Sequence, residues 1–194
     1  MNFLAHIYLS GDNDLIKIGN FMADGIHGKN FDDFPEEVGL GITLHREIDT
    51  FTDFHPTFRK SKHRLHEKYG HYSGVIVDMF YDHFLAKNWK RYSDVKLEDY
   101  TLHFYNILKE NYDILTHKTK EMMPYMVEYN WLSSYATIDG LAEILRQMDR
   151  RTKYRSNMQY STNELKEFYS DFEEEFTMFF EEVRAFVKEK IALL

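Results

Sequence analysis

The chain has 194 residues, of which 43% are hydrophobic and 16% aromatic, enough apolar surface for one folded core and too much for a disordered segment. The absence of cysteine excludes disulfides, thiolate nucleophiles and cysteine-ligated zinc, and favours a reducing compartment. A net charge of −8 argues against a nucleic-acid binder that relies on broad phosphate neutralisation.

The opening stretch, Asn2-Phe3-Leu4-Ala5-His6-Ile7, has no basic region and is too short for a secretory signal. No uninterrupted run of about eighteen apolar residues occurs, so no membrane span is expected, and the reading is a soluble cytoplasmic protein. Patterns of period 3.6 dominate and alternation is scarce, which predicts an all-α, single-domain compact helical bundle over residues 1–194. A short helix is expected over 13–26, with Leu15, Ile18, Met22 and Ile26 inward. The segment from Gly28 to Pro35 has turn composition, and Pro35 suits a first helical turn. The next helix runs to about Phe54 and stops before Pro56. A basic helix fills 56–69 and ends at Gly70. A buried helix covers roughly 72–91, and further helices are expected near 97–116, 119–131 and 137–150. The polar stretch 151–163 is the best linker candidate. Ser161-Thr162-Asn163-Glu164 fits a capping box. It opens a long C-terminal helix whose broad face carries Leu165, Phe168, Phe172, Phe176, Phe179, Val183, Phe186 and Val187. That face serves a core or a homodimer equally well.

Three constellations carry chemistry. Asp78, Asp82 and His83 interrupt the otherwise apolar run 74–86. A helix apolar all round is buried, and ionised carboxylates there need a positive partner. A metal ion is the compact candidate, and a buried guanidinium is the alternative. Asp78 and Asp82 share a face at i,i+4, and His83 points about a quarter turn away. The second constellation places His45, Asp49, Thr52 and Asp53 on one face, with Leu44, Ile48 and Phe51 on the apolar side. Arg46 lies beside it, with a fork suited to phosphate. The third is Gly19-Asn20-Phe21-Met22-Ala23-Asp24-Gly25, in which small residues admit a close backbone or ligand. His6 sits in the apolar opening segment. Nitrogen and oxygen donors without sulfur suit Mn²⁺, Fe²⁺, Mg²⁺ or Zn²⁺, and such sites activate water and neutralise phosphoryl charge. No P-loop, His-Glu-x-x-His, Glu-x-x-His or nucleophile-elbow pattern occurs.

At these residues the chain resembles the acyl carrier protein phosphodiesterases, or ACP hydrolyases, an atypical branch of the HD-type metal phosphohydrolases. The resemblance rests on Asn2-Phe3-Leu4-Ala5-His6, on Gly19-Asn20 with Ala23-Asp24, on His45-Arg46-x-Ile48-Asp49-x-x-Thr52-Asp53 and on Asp78-x-x-x-Asp82-His83-Phe84-Leu85. Trp131-Leu132 and Arg150-Arg151 match more weakly. The resemblance implies a mostly helical fold with an HD-like metal site and a divalent cation, typically Mn²⁺. It implies hydrolysis of the phosphodiester that joins 4′-phosphopantetheine to a serine of holo acyl carrier protein. Standard HD proteins carry adjacent His-Asp, whereas the adjacency here is reversed, Asp82-His83. On this reading His45, Asp49, Asp78 and Asp82 supply most of the metal shell, with Asp24 and His83 next. Asp53 accepts the proton of water, and Arg46 and Arg59 hold phosphoryl oxygens. His6 and Asn20 orient the ligands from behind. Arg59, Lys60, Lys62 and Arg64 guide the carrier, and Arg146, Arg150, Arg151, Lys153 and Arg155 form a second basic run. Two other functions stay open: a metal phosphohydrolase acting on a nucleotide or small phosphodiester, and a non-catalytic helical binding module.

Overall fold

Period-3.6 patterning becomes helix nearly throughout. The computed structural model describes residues 2–28 and 31–193, and no strand occurs among them. In chain order the helices are α1 (Phe3–Leu9), α2 (Asp14–Met22), α3 (Glu36–Phe54), α4 (Pro56–Tyr69), α5 (Ser73–Lys87), α6 (Leu97–Glu110), α7 (His117–Glu128), α8 (Trp131–Ser134), α9 (Ile138–Arg151), α10 (Thr162–Glu167) and α11 (Tyr169–Ile191). Their ends follow local chemistry. The Asn13 side chain accepts from the Leu15 and Ile16 amides at the start of α2. His55 is extended (ψ 127°), as a residue before proline must be. Gly70, at φ +53°, stops α4 where a side chain would be strained.

Two expectations fail. The helix expected over 13–26 stops, as α2, at Met22 and tightens into a 3₁₀ turn, Ala23–Gly25, which carries Asp24. The final helix is broken at Phe168 (φ −111°, ψ 32°), and no capping box forms. The Ser161 hydroxyl donates to the Met158 carbonyl instead, and Glu164 accepts from the Tyr69 hydroxyl and Lys68. Tertiary partners outbid the local cap. Of the turn segment expected after Gly28, Lys29 and Asn30 lie outside the described residues.

Helix α5 is the axis of the core. Ile76, Val77, Met79, Phe80, Tyr81, Phe84 and Leu85 are fully buried, packed against α1, α4, α9 and α11. From α11, Phe172, Phe176, Phe179, Phe180 and Val183 are also fully buried. Most of the phenylalanine face is therefore spent on the chain's own core, with Phe168 and Phe186 half-buried at its ends. No helix among the described residues is long and apolar enough to cross a membrane.

The polar residues of α5 find partners other than the expected cation. Asp82, fully buried, accepts from the backbone amides of Leu4 (2.8 Å) and Ala5 (3.1 Å). These are orphan donors of the first turn of α1, so the carboxylate fastens that helix to α5. His83 meets the Tyr135 carbonyl with Nδ1 (2.7 Å) and the Tyr169 hydroxyl with Nε2 (2.8 Å).

Helices α2 and α3 cross at backbone contact. A Cβ on Gly19 would lie 2.1 Å from the Val38 carbonyl oxygen, and one on Gly41 would lie 2.2 Å from that of Ile16. Only glycine permits this approach. It sets Asn20 of α2 against His45 of α3.

Candidate metal centre

Four elements converge on one point. His6 comes from α1, Asn20 from α2, Asp24 from the 3₁₀ turn, and His45 and Asp49 from α3. One ligand atom each of His6, His45 and Asp49 lies within 4.8 Å of the others. The imidazoles of His6 and His45 stack with centroids 4.1 Å apart and planes 19° apart. His45 Nε2 lies 3.0 Å from Asp49 Oδ2 and 3.3 Å from Asp24 Oδ1. His6 Nε2 lies 3.3 Å from Asp49 Oδ1.

Asn20 sets both tautomers. Its amide nitrogen donates to the His6 carbonyl (3.0 Å) and the Ser10 hydroxyl (2.9 Å), so its oxygen is left to accept. His6 Nδ1–H donates to that oxygen at 2.7 Å, and His45 Nδ1–H donates to the Asn20 backbone carbonyl at 2.8 Å. Both Nε2 atoms then face the carboxylates. This is the arrangement that orients ligating histidines in metal sites.

Charge at the cluster is uneven. Burial, and then the neighbouring charge of His45, push His6 down to about 4, so it is neutral at pH 7. Burial opposes charge on His45 as well, but the carboxylates of Asp24 and Asp49 overcome it and raise it to about 9. His45 therefore carries a proton between those carboxylates. Asp49 is held well below the usual carboxylate range: desolvation works the other way, and the hydrogen bond from His45 wins. Asp24 is lowered chiefly by its hydrogen bond with His45.

A divalent cation fits this donor set. His6 Nε2 is buried without a hydrogen-bond partner. Its lone pair faces a carboxylate oxygen at 3.3 Å without hydrogen-bond geometry, and two acceptors opposed in this way gain from a cation between them. Once His45 gives up its proton, two imidazole nitrogens with carboxylate oxygens suit a borderline divalent ion.

The donors open into a cavity of about 420 Å³, whose walls include Asp24, His45, Asp49, Asp53 and Asp78. Asp78 is raised by burial. Lys118 and Arg151 are the cations of the wall, and Phe3, Met122, Trp131 and Met148 supply apolar surface. The structure thus gathers Asp24, His45, Asp49, Asp53 and Asp78. It moves His6 from the supporting position expected of it to the donors themselves, and leaves Asn20 behind them.

Other candidates are engaged elsewhere. The oxygens of Asp82 hold the Leu4 and Ala5 amides, and the ring nitrogens of His83 hold the Tyr135 carbonyl and the Tyr169 hydroxyl, so the adjacent acid–imidazole pair builds structure. Arg46 donates to the Ile26 and Gly28 carbonyls and lies over Phe31, which pins the loop after the 3₁₀ turn. Arg64 grips buried Glu175 through two 2.7 Å bonds, and Lys60 pairs with the same carboxylate. Arg59 is exposed on α4 and Lys62 lies against Gly74. Sequence reasoning missed Lys118, which no pattern marks. For Arg151 the signal was the second basic run.

A sequence profile of the family described as acyl carrier protein phosphodiesterase matches residues 1–183. The acyl carrier protein phosphodiesterase of Photorhabdus laumondii is 30% identical over 181 residues, 93% of this chain and 91% of its own length. The proteins of the same name from Yersinia enterocolitica and Yersinia pestis are each 27% identical over 93% of this chain and 94% of theirs. No solved structure matches. The profile spans every helix that contributes a donor, and this chain belongs to the acyl carrier protein phosphodiesterase family.

Proposed function

We propose that this protein hydrolyses the phosphodiester of holo acyl carrier protein, releasing 4′-phosphopantetheine and leaving the apo carrier with a free serine. The reading rests on the family and on one geometric observation: His6 Nε2, His45 Nε2 and Asp49 converge within 4.8 Å, with both Nδ1 atoms bound to Asn20. His6, His45, Asp49 and Asp24 would hold a divalent cation, with Mn²⁺ the first choice and Mg²⁺, Fe²⁺ or Zn²⁺ the others. Such an ion supplies Lewis-acid polarisation of the phosphoryl group and lowers the pKa of water.

The remaining chemistry falls to side chains of the cavity. Water attacks phosphorus, the bond from phosphorus to the serine oxygen breaks, and that oxygen needs a proton. Asp53, exposed on the cavity wall, is placed to accept the proton of water. Asp78, raised by burial, keeps a proton more readily than an ordinary carboxylate and suits delivery to the leaving oxygen. Lys118 and Arg151 offset the charge of the diester. The absence of cysteine favours the cytoplasm as the compartment.

Mass spectrometry of holo carrier incubated with the protein, with and without Mn²⁺, tests the reading. Loss of the prosthetic group only with metal is expected, and cyclic nucleotides and a chromogenic diester serve as rival substrates. Metal-independent turnover, or wild-type turnover by His45→Ala, overturns it.

A further inference from the structure

The cavity that holds the donors has a neighbour. A second cavity, of about 590 Å³, lies along α9 and the loop after it, and Trp131, Gln147 and Arg151 belong to the walls of both. Its charge runs against that of the chain. Arg146, Arg150 and Arg151 line it against one carboxylate, Glu143, whereas the whole chain carries −8. Glu143 is matched by Arg146 at 2.7 Å, which leaves the cavity net positive.

The aromatic residues there are unusually displayed. Tyr125, Tyr129 and Tyr154 line this cavity and are 58%, 55% and 55% exposed. Tyrosine and arginine are the side chains that most often carry binding energy at protein interfaces. Lys153 and Tyr154 have φ of +57° and +58°, a conformation that strains a bulky residue. The loop is held there by fully buried Asp149. Its Oδ1 accepts from the Ser156 hydroxyl at 2.6 Å, and its carbonyl accepts from the Tyr154 amide at 2.9 Å. A buried anchor that maintains two consecutive left-handed residues fixes Tyr154 at the surface.

The shared wall points to a ligand independently. Trp131 is 6% exposed, and its Nε1–H is buried without an acceptor. Arg151 lies 5.5 Å above its ring. An orphaned donor between two cavities is the place where an acceptor from a bound molecule would gain most. The basic run on α4 lacks these features, because Lys60 and Arg64 are committed to Glu175.

We propose that the α9 face, centred on Arg146, Arg150 and Tyr154, docks an acidic surface of the protein that carries the phosphodiester. The arm of the substrate then passes the Trp131 wall to reach the donors. The inference rests on the hydrolase reading above and adds the surface that selects a protein over a small diester. Opposite charge across an interface accelerates encounter and fixes orientation.

The test compares an α9 variant, Arg146→Glu with Arg150→Glu, with an α4 variant, Arg59→Glu with Lys62→Glu. Each metal-loaded protein is assayed on holo carrier and on a chromogenic diester. The α9 variant is expected to raise KM for the carrier at least about tenfold and to lower the ratio of carrier to diester turnover by a similar factor. Arg146→Lys with Arg150→Lys should recover most of the loss. Tyr154→Ala should weaken carrier binding with no change of charge. Wild-type carrier KM in the α9 variant, or an equal rise in the α4 variant, overturns the docking surface while the hydrolase reading stands. Wild-type protein that cleaves the diester but never the carrier overturns both.

Discussion

Asn20 decides which nitrogen each histidine presents: its backbone carbonyl holds His45, and its side-chain amide, oriented by the His6 carbonyl and the Ser10 hydroxyl, holds His6. Asn20→Ala frees the His6 imidazole to choose the other tautomer, while the backbone carbonyl at position 20 still holds His45. The expected result is a loss of about 10–100-fold in Mn²⁺ affinity, read by calorimetric titration, with helicity by circular dichroism retained. His45 sets the pH dependence. Its value is raised to about 9, so at pH 7 it holds a proton where the proposed ion would bind. His6, at about 4, is already neutral there. Metal affinity should therefore climb about tenfold per pH unit as pH approaches 9 and then level off. About one proton should be released per ion at pH 7, measured by titration in buffers of different ionisation enthalpy. A flat profile from pH 6 to 9 would remove His45 from the donor set.

The helices matter for how closely they can approach. The α2–α3 crossing depends on Gly19 and Gly41, and at Gly41 an added Cβ meets backbone atoms, 2.2 Å from the Ile16 oxygen and 2.8 Å from the Asn20 nitrogen. Backbone cannot yield as a side-chain tip can. Gly41→Ala is expected to cost about 1–3 kcal/mol and to weaken Mn²⁺ binding, because α2 carries Asn20. Gly74→Ala is the control. Its nearest neighbour is the Lys62 side chain at 3.6 Å, so the helix propensity of alanine should stabilise α5 by about 0.5–1 kcal/mol. Thermal unfolding of the two variants checks both signs. Asp82 shows the same logic in polar form. Burial pushes it up to about 7 against the pull of the Leu4 and Ala5 amides, and those two bonds seat α1, which positions His6.

Across the molecule, the candidate metal centre joins the N-terminal helix, the α2 turn and the middle of α3, while α5 and α11 form the core behind it. A ligand that binds only the folded state stabilises it by mass action. Mn²⁺ at about a hundred times its dissociation constant should add about 2.7 kcal/mol, raising Tm by about 5–10 °C for a chain of this size, and chelation should reverse the rise. Much of this architecture was legible beforehand. Apolar spacing announced the helices, Pro56 and Gly70 bounded α4 to the residue, and the otherwise apolar run 74–86 announced α5 as buried. His45 and Asp49 were legible as a donor pair because i,i+4 spacing on one helix is a local property. Phe168 was not legible as a break, because Glu164 answers to Tyr69 and Lys68 on α4 rather than to its own helix end. Nor was the division of labour among buried polar residues. Composition demanded a positive partner for Asp82 without saying whether it would be an ion or an amide, and His6 looked like any core histidine. Periodicity reports which face of a helix turns inward. Which donor meets which acceptor is settled only when distant segments pack, because hydrogen bonds and ion contacts act over about 3 Å between residues whose separation along the chain carries no information about their separation in space.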